Sequence, residues 1–374
     1  MTTRTRSRTI GSFTGTYDYS TTHKEKTSSW YTESCTDVDD DPDVDHSFSL
    51  STTENHVCVA NGTAGGGRFV DWPITLYNVT SHSGSAPALD TYVTEHLAKS
   101  NPATSSVDLP TFIAEARDIP DLLRDSVSLV RDQGTSILKK IAKGNLSWQF
   151  GWKPMIGDLK KLYDFQHYVD RRVLEIESLY NSGGLRRRTH FGEDQHVGTL
   201  SSLVYLHSTL SLSVRAKYQD TTNRETWATC RWVPNPSWAN RLFSNTDGSL
   251  RRREVIKLVL GLNWSQFSSS VWESLPWSWL VDWFADVGDY IQASNNSIAH
   301  VGGKVCVMRT STTTREYSSV TKPSGITLSE LSSEYVTKTR SVFDPTPKVC
   351  SRTFLSGRRL SILGSLAALK GRFL

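Results

Sequence analysis

The spacing of apolar residues changes several times along this chain of 374 residues. Alternation of apolar and polar residues is typical of a strand with one buried face, whereas apolar residues three and four positions apart are typical of an amphipathic helix. Residues 1 to about 105 contain short β-like runs, including 48–50, 57–59 and 68–77, separated by Gly, Asn and Asp. This part of the chain is therefore predicted to form strands joined by turns.

From residue 110 the pattern becomes helical, and two stripes predict helices over 110–143 and 154–181. Pro154 is favourable in a first helical turn, where its missing N–H needs no partner. The second stripe repeats at alternating intervals of four and three, which predicts packing against comparable helices in a bundle. Its members are Met155, Leu159, Leu162, Gln166, Val169, Val173, Ile176 and Tyr180.

Strand-like alternation returns after Gly183. Two sets of apolar residues there occupy mainly every second position, which predicts the buried faces of two strands. These sets are Val204, Leu206, Leu210, Leu212 and Val214, and then Ala228, Cys230 and Trp232. Further helices are predicted over 251–260 and 277–293, followed by a Ser/Thr-rich β segment over 301–343. A basic amphipathic helix is predicted over 357–370.

Helical and β segments thus alternate in the sequence. We expect an α+β fold with an elongated body, in which one end is a helical bundle and the other a twisted antiparallel sheet, built from interleaved segments. The predicted β segments are 1–109, 183–250 and 299–350. The predicted helical segments are 110–182, 251–298 and a basic C-terminal helix in 351–374.

Charge is distributed unevenly, although the formal net charge is only +4. Residues 1–109 carry 7 Lys and Arg against 14 Asp and Glu, whereas residues 110–374 carry 35 against 24. Six of the acids lie between Asp37 and Asp45. This asymmetry predicts that one end of the protein faces a polyanion and that the other end faces a different partner.

Several classes of protein are disfavoured by what the sequence lacks. No apolar segment follows the N-terminal residues as in a secretory signal, and no stretch approaches the length of a membrane-spanning helix. Five scattered Cys suit reduced thiols better than a disulfide framework or a zinc site. The HExxH, GxSxG and Walker A motifs are absent, so we expect no enzymatic activity, no metal and no cofactor.

Two aromatic-rich stretches, 146–159 and 271–291, each lead through a Pro into a helical pattern. The second pattern is apolar nearly all round, which predicts a helix buried between layers. We expect an Arg, a Lys or a helix terminus to bind Asp282, because an unpaired carboxylate in an apolar belt is costly. The predicted structural core motif comprises Trp148, Phe150, Trp152, Pro154, Trp272, Pro276, Trp277, Trp279, Asp282 and Trp283.

The segments WQFGWKPMIGDL (148–159) and WESLPWSWLVDWFADVGD (272–289) closely resemble the two signature segments of the maturation proteins, or A proteins, of single-stranded RNA bacteriophages (leviviruses). The resemblance implies one copy per virion, in the place of a coat-protein dimer in the capsid. It also implies a helical end that binds the genomic RNA and an outer β region that adsorbs to a bacterial pilus (pilin). The protein would be made and assembled in the host bacterial cytoplasm and would enter the next host with the RNA.

An inward-facing bundle implies that its Lys and Arg side chains contact RNA phosphates. Off the apolar seam of the second helix, Lys160, Lys161, Arg171 and Arg172 are expected to face outward. A second tier includes the triplet 186–188, some of which would touch coat subunits instead. The candidate RNA-binding residues are Lys139, Lys140, Lys143, Lys160, Lys161, Arg171, Arg172, Arg251, Arg252, Arg358, Arg359 and Arg372.

An alternative hypothesis is a lysis protein. In one form, residues 277–284 would act as an interfacial membrane helix, although the acidic polar positions there disfavour an anionic bilayer. In the other form, the outer β part would inhibit cell-wall synthesis, an activity that some proteins of the resembled family carry.

Overall fold

A computed structural model describes residues 2–39, 45–56, 58–76, 79, 87–104, 145, 165–207, 212–238, 248–259, 282, 285–350, 361–362 and 365. The chain divides into two compact units. Unit 1 comprises Met1–Asp90, His190–Ala228 and Val305–Phe343. Unit 2 comprises Thr91–Thr189, Thr229–Lys304 and Asp344–Leu374. Each unit is therefore assembled from three separate stretches of sequence.

Within the described residues, eleven strands form one sheet. Its order is β10-β4-β5-β1-β2-β3-β11-β9-β7-β6, and β8 pairs with β7. The strands are β1 Thr2–Tyr19, β2 Thr22–Asp39, β3 Phe48–Asn55, β4 Val59–Ala64, β5 Gly67–Pro73, β6 Leu185–His207, β7 Val214–Pro234, β8 Ala299–Val301, β9 Val305–Thr321, β10 Ile326–Leu328 and β11 Ser332–Phe343. The pairings of β1 with β2, β2 with β3, β3 with β11 and β11 with β9 are all antiparallel.

Four helices are described, all in unit 2: α1 Thr91–Ser100, α2 Phe165–Asn181, α3 Gly248–Val259 and α4 Val287–Ala293. Helix α1 packs against α4, and α2 packs against α3. Asn145, Ser361, Ile362 and Ser365 are helical as well. The amide nitrogen of Asn145 donates to the hydroxyls of Ser361 at 3.2 Å and Ser365 at 2.9 Å, two positions one helical turn apart.

The β1–β2 hairpin runs in register from Thr2 opposite Asp39 to Tyr19 opposite Thr22. Its strands are rich in Thr and Ser, and alternating β-branched residues favour such extended conformations. Gly11 interrupts this pattern with a φ of +70°. Trp30 lies against it, with the indole Nε1 only 0.8 Å from the position that a β-carbon at residue 11 would take. Only glycine fits there, because both the backbone angle and the space exclude a side chain.

The apolar core of unit 1 lies where the closed end of this hairpin meets β4, β5, β7 and β10. Tyr17, Phe69 and Trp72 form its centre, with ring centroids 4.6 to 6.2 Å apart. Other buried members are Cys58, Ala60, Ile74, Leu206, Leu212, Val214, Ala216 and Ile326. Burial of such large rings supplies much of the hydrophobic stabilisation of this unit.

The core of unit 2 includes Trp232, which is fully buried at the end of β7. Its indole Nε1 donates to the hydroxyl of Ser100 at the end of α1, at 3.1 Å. Ile176 and Leu179 of α2 and Leu258 of α3 are also buried. This core therefore joins helices to a strand end rather than packing helices alone.

Several sequence predictions are confirmed. Strands occupy 48–50, residue 59 and 68–73, whereas 58 and 74–76 lie outside strands, and β8 to β11 cover most of 301–343. Ala228, Cys230 and Trp232 are all buried, as their shared parity predicts. The second helix ends at Asn181, as expected, with Val169 and Ile176 buried. The helix predicted over 110–143 and the first part of the second helix, 154–164, lie outside the described residues.

Two predictions are wrong in part. Residues 91–100, predicted as β within 1–109, form α1. Val93 and Leu97 lie one helical turn apart, so burial of both against unit 2 favours a helix over a strand. The helix predicted over 277–293 is not continuous: Asp282 lies in a turn, and Asp286 has non-helical angles of φ −82° and ψ 57° before α4 begins at Val287.

Candidate nucleic-acid interface

Helix α2 presents two consecutive arginines that point in different directions. Its buried stripe contains Val169, Ile176 and Leu179. Successive side chains on a helix are rotated by about 100°, so Arg171 and Arg172 leave the helix in different directions. Arg171 is exposed, whereas the side chain of Arg172 is only 11% exposed. The expectation that Arg172 faces outward is therefore wrong.

Arg172 is held in place by an acid one turn along the same helix. Its Nη1 donates to both carboxylate oxygens of Glu175, at 2.9 and 3.0 Å, and its Nη2 donates to the carbonyl oxygen of Thr104. An arginine side chain is long enough to bury its stem while its guanidinium finds polar partners. Glu175 was not predicted from the sequence, although its i,i+3 spacing from Arg172 is a recognisable signal.

A second arginine, Arg187, reaches the same carboxylate from β6. Its Nη2 donates to Glu175 Oε1. Alternation along the strand places Arg187 on one face, and its neighbours Arg186 and Arg188 on the other, where both are exposed. The triplet 186–188 was placed in the second tier of basic residues. The structure brings its middle member into contact with the acid that also binds Arg172.

We call Arg171, Arg172, Arg187 and Glu175 together the arginine cluster. Its three arginines and one carboxylate carry an excess of positive charge. Burial lowers the pKa of Arg172 to about 10, with a further contribution from Arg171. Burial, then Arg172 and Arg171, lowers the pKa of Arg187. Three guanidinium groups thus lie near one carboxylate, and this arrangement favours an additional anion.

Two donors of the arginine cluster lack acceptors among the described residues. The Nε atoms of Arg172 and Arg187 are both buried, and neither makes a hydrogen bond there. A buried donor without an acceptor costs free energy, about 1–3 kcal/mol for a typical group.

An exposed ion pair links α2 to α3 in the same unit. Arg252 Nη2 lies 2.9 Å from Asp170 Oδ1, and their side chains are 42% and 52% exposed. Arg251 belongs to α3, but its side chain lies outside what is described. Exposed pairs of this kind contribute about 0–1 kcal/mol to stability, so Arg252 remains available to exchange partners.

Two titratable groups near β6 are uncharged at neutral pH. The pKa of the Cys230 thiol is raised to about 11, mainly by burial, and Arg187 lies close enough to oppose that rise. His96 is fully buried, its Nδ1 lies 2.8 Å from the hydroxyl of Thr189, and burial lowers its pKa to about 4. Neither group therefore adds charge to the arginine cluster at neutral pH.

The remaining candidates fall into two groups. Asp282 is confirmed as a carboxylate bound by a helix terminus: its Oδ1 accepts the backbone N–H of Gly288, in the first turn of α4, at 3.0 Å. The other predicted residues lie outside the described part of the chain. They are Lys139, Lys140, Lys143, Lys160, Lys161, Arg358, Arg359 and Arg372, together with Trp148, Phe150, Trp152, Pro154, Trp272, Pro276, Trp277, Trp279 and Trp283.

The acidic run of unit 1 is partly neutralised. Arg4 and Arg6 both donate to Asp37 Oδ2, at 2.9 and 2.7 Å, and the hydrogen bond from Arg4 lowers the pKa of Asp37. Residues 40–44 are outside the described range, while Asp39 and Asp45 lie within it. Asp37 is thus a structural partner of the neighbouring strand and contributes little free negative charge.

No group of three His, Cys, Asp or Glu side chains suited to a metal ion occurs in the described ranges. Among the helices described, none is long and apolar enough to cross a membrane.

Comparison with known protein families gives one match. A family model described as phage maturation protein matches residues 128–339, which is more than half of the chain. The matched span includes α2, α3, α4 and strands β6 to β10, and therefore the whole arginine cluster. A comparison with curated proteins gave no match.

Proposed function

The chain belongs to the phage maturation protein family, and from this premise we propose that it is a single-copy virion protein that binds the genomic single-stranded RNA through unit 2. We further propose that it takes the place of a coat-protein dimer in the capsid, adsorbs to a bacterial pilus through unit 1, and enters the host with the RNA. Its maturation function in the virion follows from the family. The individual contacts with RNA, coat protein and pilin are our proposals.

The observation that carries RNA binding is the arginine cluster. Guanidinium groups are planar forks that match the geometry of a phosphate, and they keep their charge when partly buried. The Nε atoms of Arg172 and Arg187 are buried, so these two arginines add positive charge behind the surface and do not themselves reach a phosphate. Arg171 is exposed beside them and can meet the same backbone from the solvent side. We propose that Arg171 contacts the phosphate directly and that Arg172 and Arg187 lie behind it without touching the RNA.

Helix packing supports a helical RNA-binding end. The pairs α1–α4 and α2–α3 are each in contact, and the buried stripe of α2 gives it a preferred face. The rest of the bundle predicted over 110–143 and 154–181 lies outside the described residues, and we propose that its Lys139, Lys140, Lys143, Lys160 and Lys161 also contact RNA phosphates. Binding would then depend on the summed phosphate contacts more than on any one residue.

The sheet of unit 1 supports an outer binding role. Its long strands expose polar rows, including Thr5, Ser7 and Thr9 on β1, and antiparallel sheets commonly leave one face in solvent. An acidic segment such as 37–45 would be repelled by RNA, so its placement outside the capsid avoids that cost.

Ultraviolet crosslinking of intact virions, followed by peptide mapping, tests the orientation. We expect RNA crosslinks in unit 2, within 91–189 and 229–304. Crosslinks confined to 1–90 would show that the assignment of the two units is reversed.

Salt-dependent binding of genomic RNA by the purified chain tests the arginine cluster. Arg171→Gln should weaken binding and reduce the slope of log K against log salt by about 0.7, the value for one phosphate contact on a single strand. Arg68→Gln is the matched control, because Arg68 is an exposed arginine of unit 1. Equal effects of the two substitutions would remove the arginine cluster from the interface.

Two further experiments address the virion. Mass spectrometry of purified particles should give about one copy of this chain per virion, and dozens of copies would indicate a coat or decoration protein instead. Reversal of charge at Asp39 and Asp45 should reduce adsorption to piliated cells. Unchanged adsorption would exclude these residues from the receptor site.

A further inference from the structure

Unit 1 contains a partly open cavity of about 220 Å³ beside the middle of the β1–β2 hairpin. Side chains from three adjacent strands and the segment after β3 line it, among them Phe13, Trp30, Thr32, Thr53, Asn55 and His56. At ~30 Å³ for each water molecule, this volume holds roughly seven waters. It is too small for a folded partner and is comparable in size to a single small ring.

One wall of the cavity is an aromatic platform. The Trp30 side chain is 44% exposed although it is the largest apolar group of the hairpin. Its ring lies over Gly11, whose missing side chain leaves the space that the indole occupies. The ring is therefore held in position by the backbone rather than by burial in a core. A tryptophan that is ordered and half exposed suits stacking against a flat ligand face.

Another part of the lining is polar. Thr32 and Thr53 are cross-strand partners, and both line the cavity together with Ser28, Ser29 and Thr75. A hydroxyl can both donate and accept a hydrogen bond, so this lining suits an occupant that carries hydroxyls of its own.

Charge distinguishes between classes of ligand. None of the described residues lining the cavity is Lys, Arg, Asp or Glu. One lysine lies beside the lining: Lys26 Nζ donates to the Pro73 carbonyl oxygen at 3.1 Å and to the Thr75 hydroxyl at 2.7 Å, so it is already engaged with the protein. A nucleic acid would bring several phosphates, each of which needs a cationic partner. A neutral ligand with one apolar face and several hydroxyls matches the lining best.

From this arrangement we propose that the cavity binds one ring of a neutral saccharide, with an apolar C–H face of the sugar on Trp30 and sugar hydroxyls hydrogen-bonded to the hydroxyls of Thr32 and Thr53. This site is independent of the proposed RNA contact. It would give unit 1 a sugar-binding activity in addition to pilus adsorption.

Saturation-transfer NMR with the purified full-length chain tests the site. The probes are the methyl glycosides of glucose, galactose, mannose and N-acetylglucosamine, each measured separately. We expect transfer to the ring C–H protons of at least one glycoside, with weak affinity because one ring makes few contacts. Absence of transfer to all four would overturn the proposal.

Three variants distinguish specific binding in the cavity from non-specific binding elsewhere on the protein. Trp30→Ala should weaken binding by about tenfold, the effect of losing one good stacking contact. Tyr19→Ala is the matched control, because Tyr19 is a 47% exposed aromatic residue of the same hairpin outside the cavity lining. Thr53→Val should also weaken binding, since it removes one hydroxyl from the lining and keeps a side chain of similar shape.

Unchanged affinity in Trp30→Ala, or an equal loss in Tyr19→Ala, would contradict the saccharide site. Displacement of the glycoside by a short oligouridylate in a Trp30-dependent manner would also overturn it, and would assign the cavity to a nucleobase.

Discussion

Arg315 on β9 and Asp220 on β7 form a buried ion pair in the sheet of unit 1. The guanidinium Nε and Nη2 donate to the two carboxylate oxygens at 2.6 and 2.7 Å, and the side chains are 4% and 0% exposed. The Cζ atom of Arg315 also lies 3.9 Å from the ring centroid of Tyr218. This part of the sheet is therefore specified by polar pairing rather than by apolar packing.

Breaking this ion pair should be strongly destabilising. We expect Asp220→Asn or Arg315→Met to lower the free energy of unfolding by about 3–5 kcal/mol, because the remaining group is left buried without its partner. Chemical denaturation measures the loss. Glu95→Gln, which removes the exposed i,i+4 pair with Lys99, is the control and should cost less than about 1 kcal/mol. A loss below that level at Asp220 would show that the pair is dispensable.

Acid should weaken unit 2 through His96. Burial lowers the pKa of this imidazole to about 4, from an ordinary value of 6.5. Below pH 6.5 the imidazole of His96 therefore binds a proton in the unfolded chain, whereas in the folded chain it binds one only below about pH 4. Stability should fall across that window, by roughly 3 kcal/mol for a shift of this size. His96→Gln should abolish this component of the pH dependence.

The exposed His23 provides a contrast to His96. Hydrogen bonds to Asp18 and, to a smaller extent, to Glu25 raise the pKa of His23, whereas burial lowers the pKa of His96. His23→Gln should therefore leave the loss between pH 6.5 and 4 in place. If His23→Gln removed it and His96→Gln did not, the assignment would be wrong.

Gly11 should tolerate no side chain while Trp30 is present. Gly11→Ala meets both a φ of +70° and the indole ring, so we expect a cost above the roughly 1–2 kcal/mol of the left-handed conformation alone. Gly183→Ala is the matched control, since its φ is +61° and nothing lies within 4 Å. In a double-mutant cycle, Gly11→Ala should cost less in the Trp30→Ala background, because the part of its cost that comes from the clash with the indole is then absent. Equal costs at the two glycines would contradict the contact.

Glu175 should be essential to the arginine cluster. Glu175→Gln leaves Arg172 and Arg187 without their shared carboxylate, and we expect about 1.5–3 kcal/mol of destabilisation for the lost charged hydrogen bonds. Added phosphate should restore part of this stability more effectively than chloride at equal ionic strength, because it binds the folded state. Glu254→Gln, at the exposed pair with Lys257, should show neither effect.

Asp282 should stabilise the start of α4. Asp282→Ala removes the acceptor of the Gly288 N–H and should cost about 0.5–2 kcal/mol, the range for helix N-terminal caps. Asp282→Asn keeps an acceptor oxygen and should cost less. Full stability in the alanine variant would mean that this hydrogen bond is unimportant.

Local pattern predicted much of the secondary structure, because periodicity reports which side of an element is buried. The parity of Ala228, Cys230 and Trp232 and the stripe through Val169 and Ile176 both correspond to buried faces. Helix α1 was missed because its short apolar pattern also fits a strand, and only packing within unit 2 distinguishes the two. The break before Val287 was missed because Asp286 leaves the helical conformation there, despite a continuous helical pattern.

The sequence by itself determined the family, through two aromatic segments, and the type of most elements, through the spacing of apolar residues. Those properties depend on near neighbours in the chain. Only the tertiary structure decided that Arg172 turns inward to Glu175, that Arg187 joins it, and that Arg315 meets Asp220 across 95 residues of sequence. The Arg172–Glu175 spacing is a local signal of a pair but leaves the burial of Arg172 open. The pairings of Arg187 and Arg315 depend on how strands and helices come together in the folded units, and no local pattern of charges encodes them.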